Sequence, residues 1–211
     1  MNIKNSKTIK NRIFKIEASV LAALLICFVL NISSFSEECR NIRSKMLRMH
    51  VIANSDSDID QELKLKVRDA VLAEGKEIFD GSVTADDAKS KILPETERLR
   101  KAALRVIENE GFSYDVKITV GNEYFNTRTY DNSVTLPAGY YTAVKVIIGE
   151  GKGHNWWCVM FPPMCLPAAS KECEISDVLE KEEVQIVEGG SKYKFKFKIV
   201  EIYEKISEKL K

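Results

Sequence analysis

The chain has 211 residues, 45% hydrophobic and 30% charged, enough for one domain with a real core and incompatible with disorder throughout. Its 32 basic and 31 acidic side chains give a formal charge of +1, without the basic excess of a nucleic-acid reader. The balance is uneven: residues 1–36 hold five basic side chains (Lys4, Lys7, Lys10, Arg12, Lys15) and one acid, Glu17, which leaves 27 basic against 30 acidic in the rest.

In the head, the run Ala18 to Leu30 is apolar apart from Ser19, follows the basic side chains and precedes Ser34-Phe35-Ser36, a small-x-small pattern. The run is shorter than the ~20 residues that comfortably span a hydrocarbon core. A basic flank, an apolar run and a cleavage-like pattern read together as an export signal over residues 1–36. Cleavage at that pattern and retention as an anchor with a cytoplasmic N-terminus are both consistent with it.

From Lys45 to Ala53 apolar groups occupy both phases, which predicts a strand covered on both faces. Asn54 to Asp58 interrupts it. Leu63, Val67, Ala70 and Val71, widened by Leu65 and Leu72, then recur at helical spacing, so a helix is expected from about Asp58 to Phe79. After Gly81, Thr84 reads as an N-cap with first-turn acids Asp86 and Asp87, opening a helix to about Leu93. Beyond Pro94, Leu99, Ala102, Ala103, Val106 and Ile107 mark a third helix over Glu95–Glu110, closed by Gly111.

There the period changes from 3.6 to 2. Tyr114 to Val120 alternates, Gly121-Asn122 reads as a turn, Tyr124 to Tyr130 as a weaker strand, Asp131-Asn132 as a second turn, and Ala138 to Ile148 alternates again. Trp156 to Phe161 is one more short strand, residues 166–190 are mixed, and Phe195, Ile199, Ile202, Ile206 and Leu210 predict an amphipathic tail helix. The expected fold is one α+β domain: an N-terminal strand and helices, an antiparallel β-meander and a C-terminal amphipathic helix.

Five cysteines occur. Cys27 lies in the apolar run; Cys39, Cys158, Cys165 and Cys173 follow it. In an oxidising compartment Cys158 and Cys165 are the favoured disulfide, because the segment between them must turn at Pro162-Pro163; two free thiols in a buried turn are the alternative. Their six-residue spacing does not suit a zinc knuckle, and the only histidines are His50 and His154.

Asp56, Asp58, Asp60 and Glu62 suggest a calcium loop, but Gln61 and Val67 stand where such a loop needs Gly and a bidentate Glu. Acids that favour a helix N-terminus account for them better. His50 reads as a strand residue with its ring hydrogen-bonded near that turn. Gly149-x-Gly151-x-Gly153 opens no helix and reads as a turn, not a phosphate cradle. Trp156 and Trp157 point to opposite faces if extended, one to the core and one to a candidate partner surface. No cofactor or metal is called for, and no constellation is self-sufficient for catalysis.

Two blocks carry more. Met49 to Asp58 (MHVIANSDSD), continuing through Leu63-Lys64-Leu65-Lys66-Val67 to Val71, and Leu136 to Cys165, centred on Gly149-Glu150-Gly151-Lys152-Gly153-His154-Asn155-Trp156-Trp157-Cys158, resemble the stage II sporulation protein R family. The resemblance runs from about Arg43 to the C-terminus, so the family domain is set at 43–211. It implies a protein made in the forespore and exported into the space between the two membranes. There it triggers a membrane-embedded aspartic protease, which processes the precursor of the early mother-cell sigma factor. The chain is then an activating ligand rather than an enzyme, touching the membrane only through its N-terminal segment. The residues assigned to the contact with the protease's exposed domain are His50, Asn54, Asp56, Asp58, Gln61, Lys152, Asn155, Trp156 and Trp157. The rival reading is an exported hydrolase using His50 with Asp56 or His154 with Cys158.

Overall fold

A computed structural model of the chain describes residues 3–78, 80–82, 84–130, 133–164 and 175–209, with side chains from Arg12 to Ile206 within those ranges. Two units result, Met1–Cys39 and Arg40–Lys211. Helix α1 (Ile3–Ser44) carries the whole apolar run and continues without a break through Ser34-Phe35-Ser36. Its stretch Arg12–Ser44 has a mean hydropathy of 2.4 over its most apolar window and is long and apolar enough to cross a membrane.

In the second unit the body begins with β1 (Leu47–Ile52), in which Leu47, Met49 and Val51 are fully buried on one face and Arg48 and His50 are buried on the other. Ser57 opens α2 (Asp58–Ile78): its carbonyl accepts the Gln61 N–H at 2.9 Å and its hydroxyl accepts the Asp60 N–H at 3.3 Å. Leu63, Val67, Val71 and Leu72 are buried as the spacing requires, while Leu65 stays exposed outside the stripe. Thr84 caps α3 (Ala85–Ile92) by accepting the Asp87 N–H at 3.1 Å. α4 (Thr96–Asn109) buries Leu99, Ala102, Ala103 and Ile107 and ends before Gly111 at φ +81°. The three helices supply one layer, and their apolar stripes close on Leu47, Met49 and Val51 in a single core.

The strands depart from a meander. β2 (Val116–Phe125) runs straight through Gly121-Asn122, pairing antiparallel with β5 (Gly139–Ile148) from Val116–Ile148 to Phe125–Gly139. The expected turn is absent because β2 is an edge strand, where Gly121 weakens little, and because Glu123–Lys145 (3.1 Å) and the edge-on Tyr124–Tyr140 ring pair hold the ladder beyond it. Arg128–Tyr130 (β3) leaves to pair with β4 (Val134–Leu136) in a separate ribbon. In the main sheet the order is β2-β5-β1-β6, where β6 is Asn155–Phe161. β1 is parallel to β5 and antiparallel to β6, so the sheet is mixed. The class is α+β, as expected.

Two short helices, α5 (Ile175–Val178) and α6 (Lys181–Glu188), fill part of the mixed stretch, and a 3-10 turn at Gly190–Lys192 leads to α7 (Lys194–Lys209). Phe197 and Val200 of α7 are buried. Arg43 joins the tail to the sheet, donating to the Ala138 carbonyl at 2.9 Å and to Glu204 at 2.8 Å.

Candidate functional site

Because β1 lies between β5 and β6, the connection from β5 to β6 has to cross over the end of β1. That crossing is residues 149–154, and it lands on the turn 53–57 that carries the chain from β1 into α2. Four main-chain groups fasten the two: Gly153 N–H donates to Ala53 O at 2.9 Å, Lys152 N–H to Asn54 O at 3.1 Å, Glu150 N–H to Asn54 Oδ1 at 3.0 Å, and His154 N–H to Asp56 Oδ1 at 2.6 Å. The glycines allow the approach. A Cβ on Gly153 would lie 2.2 Å from the Ser55 carbonyl oxygen, and one on Gly149 would lie 2.3 Å from Asn54 Oδ1.

Side chains lock the turn from beneath. Asp60 is buried and accepts from Asn54 Nδ2 at 2.9 Å and Ser55 Oγ at 2.5 Å. Burial pushes the Asp60 carboxyl upward, but hydrogen bonds from Ser55, Asn54, Tyr114 and Ser57 outweigh it and hold its pKa below the usual carboxylate range. Gln61 donates to Ser55 O at 2.9 Å, and Lys64 reaches both Gln61 Oε1 (2.5 Å) and the His154 carbonyl (3.1 Å), tying α2 to the crossing loop. On top of this frame the Asp56 carboxylate pairs with His154 Nδ1, and both side chains are exposed, 53% and 78%.

The Asp60 bonds give a testable pH dependence. With the folded pKa below the unfolded value of ~3.9, their contribution is complete above that value and is lost as pH falls through the lower folded one. Asp60→Ala is expected to cost about 2 kcal/mol at pH 7 by stranding its donors, and to lose less than wild type on going to pH 3. Urea midpoints at the two pH values measure both.

The structure brings together Asn54, Asp56, Gln61 and the main chain of Lys152; Asp58 stands exposed on the first turn of α2, and the Lys152 side chain pairs with Glu150 at 2.7 Å. Asn155 is exposed at the start of β6, opposite Ile52. Three assignments separate from this surface. Trp156 packs on the helix side under Arg68 (4.7 Å from the ring centre), whereas Trp157 faces the other side of the sheet, stacked on His50 at 4.9 Å and edge-on to Phe125 at 5.0 Å. His50 therefore does not bond the Asp-rich turn. Its pKa is lowered by burial, against which Glu123, 3.8 Å from Nε2, and the side chain of Asn155 act.

Spacing missed four members of the cluster: Ser55, Asp60, Lys64 and, as Asp56's partner, His154. Asp56 and His154 lie 98 positions apart, and nothing local links them. The four acids of the supposed calcium loop diverge, with Asp60 inward and Asp58 and Glu62 exposed; among the described residues no group of three His, Cys, Asp or Glu could hold a metal ion. Cys158 is buried and disulfide-bonded; the assigned partner, Cys165, lies outside the described residues.

Residues 43–171 match the family model described as stage II sporulation protein R. Stage II sporulation protein R of Bacillus subtilis (strain 168) is 34% identical over 152 residues, 70% of this chain and 67% of that protein. No solved structure matches.

Proposed function

The chain belongs to the stage II sporulation protein R family and has a role in sporulation, and from that premise we propose that it is an exported activating signal. In this reading it passes from the forespore into the space between the two membranes and engages the exposed domain of a membrane-embedded aspartic protease. Its binding starts processing of the early mother-cell sigma factor precursor. The hydrolytic chemistry belongs to the protease.

The observation that carries the reading is the clamped double loop. Four hydrogen bonds donated by main-chain N–H groups, a buried carboxylate and glycines under steric constraint hold a polar surface in one conformation, and a surface ordered in advance loses less entropy on binding. Asp56 and His154 are its exposed charged and polar heads. α1, compatible with an export signal or an anchor, supports delivery to a membrane. The hydrolase pairings draw no support: the ring of His50 stacks on Trp157 while Asp56 holds His154, and Cys158, being disulfide-bonded, has no thiolate to offer.

Co-expression of this chain, the protease and the sigma precursor in a non-sporulating host tests the proposal. His154→Ala is expected to cut precursor cleavage about tenfold, the loss of one charge-assisted contact, with the Tm unchanged, whereas Asp56→Ala, which also removes the acceptor of the His154 N–H, is expected to cut it at least as far and to cost about 1 kcal/mol of stability. Wild-type cleavage in both folded variants defeats the assignment of this surface.

A further inference from the structure

The last helix carries two apolar faces. Phe197 and Val200 face inward and are buried. A second set, Phe195, Ile199, Ile202 and Ile206, falls at steps of four, three and four on the opposite side, with Tyr203 beside it; Phe195 is 71% exposed and Tyr203 60%. An ordinary surface helix turns a polar face to water. This one turns large hydrocarbon side chains outward.

The charge around that stripe is net basic. Between Ser191 and Ser207 there are five lysines and two glutamates. Both glutamates are turned away from solvent: Glu204 bonds Arg43 at 2.8 Å and Glu201 bonds Lys205 at 2.8 Å, at 17% and 13% side-chain exposure. Lys194 and Lys198 stand exposed along one edge of the stripe, Lys198 with its ammonium 3.3 Å from Glu201. An outward apolar stripe edged by long basic side chains is the pattern of a helix lying in a bilayer interface, where the hydrocarbon enters the acyl boundary and the ammonium groups reach up to anionic headgroups.

We propose that α7 is an interfacial membrane helix, seating its Phe195–Ile206 face on an anionic lipid surface. Contact with the membrane is then made at both ends of the chain, not through the N-terminal segment alone. α1, long and apolar enough to cross a bilayer, raises the effective concentration of lipid for this second, weaker contact. The inference is independent of the protease reading.

The full chain, reconstituted into vesicles with a benzophenone side chain at position 202, tests it. In phosphatidylglycerol-containing vesicles the label is expected to form lipid adducts, while the same label at Ile59, an exposed apolar position on α2, forms none. Lys194→Gln and Lys198→Gln are each expected to lower the adduct yield about fivefold, the weight of one basic side chain near such a surface, and about 0.5 M salt to lower it further. The triple variant Phe195→Ser, Ile202→Ser, Ile206→Ser, labelled at Ile199, is expected to keep the wild-type Tm and lose the lipid adducts. Equal yields in pure phosphatidylcholine, or adducts only to protein, whether a second copy or another chain, overturn the proposal.

Discussion

Gly153→Ala is expected to unfasten the crossing loop, lowering stability by about 2–4 kcal/mol and abolishing precursor processing. The new methyl would stand 2.2 Å from the oxygen and 2.6 Å from the carbon of the Ser55 carbonyl, and 2.8 Å from Ala53 Cβ. These are main-chain atoms and a fixed Cβ, so no flexible side chain can swing aside; the loop itself must lift. Overpacking of this kind costs about 1–3 kcal/mol, and lifting stretches the bonds of Gly153 and Lys152 to Ala53 and Asn54, each worth about 1 kcal/mol. Two other glycines serve as controls. Gly149→Ala meets the Asn54 side chain (Oδ1 at 2.3 Å, Cγ at 2.9 Å, Cβ at 3.2 Å) at φ +55° and should fall between the two, and Gly81→Ala meets nothing within 4 Å, so it is limited to the ~1–2 kcal/mol of a left-handed residue at φ +69°. Urea denaturation of the three variants orders them; if Gly153→Ala ranks with Gly81→Ala, the clamp is not rigid.

The second large effect lies on the far side of the sheet. Arg48 has no exposed surface, and its guanidinium lies 3.9 Å from the ring centre of Phe125, 4.7 Å from that of Tyr141 and 5.5 Å from that of Tyr130, donating one bond to the Tyr130 hydroxyl. Burial lowers its pKa, opposed by Tyr141 and Tyr130. Arg48→Ala removes the stem that fills this space and the cation from three rings, and a loss of about 3–5 kcal/mol is expected. Arg48→Met retains the volume and removes Nε and Nη1, which have no hydrogen-bond partner among the described residues; its cost should stay within about 1 kcal/mol. Calorimetry on both variants separates volume from charge. Equal losses would mean that the cation itself is required.

Which parts of this architecture could be read along the chain depended on distance. Local signals worked: Leu63, Val67 and Val71 lie on the buried face of α2, Thr84 caps α3, Gly111 follows α4, and the neighbours Trp156 and Trp157 part to opposite faces of β6. Gly121-Asn122 misled because turn chemistry is judged from neighbours, while an edge ladder with Tyr124–Tyr140 across it is not visible locally. The place of β1 between β5 and β6 leaves no periodic trace, since a strand buried on both faces reads the same whatever lies beside it. The candidate site shared that fate. Asn54, Asp56 and Gln61 stand out as polar residues at a turn, but the bond from Asp56 to His154 exists only because one crossing loop passes over one strand end.

The same strand order has a consequence for the timing of folding. β1 leaves the ribosome early, yet Leu47 pairs with Thr142 and Phe161, so both of its neighbours emerge long after it. Contacts so distant along the chain form slowly, after a large loop entropy has been overcome. Until Phe161 has arrived the first strand has an open edge, and the turn at Asn54 has nothing above it. An incomplete polypeptide thus lacks the clamped double loop, which closes only once residues 149–154 and β6 have been made.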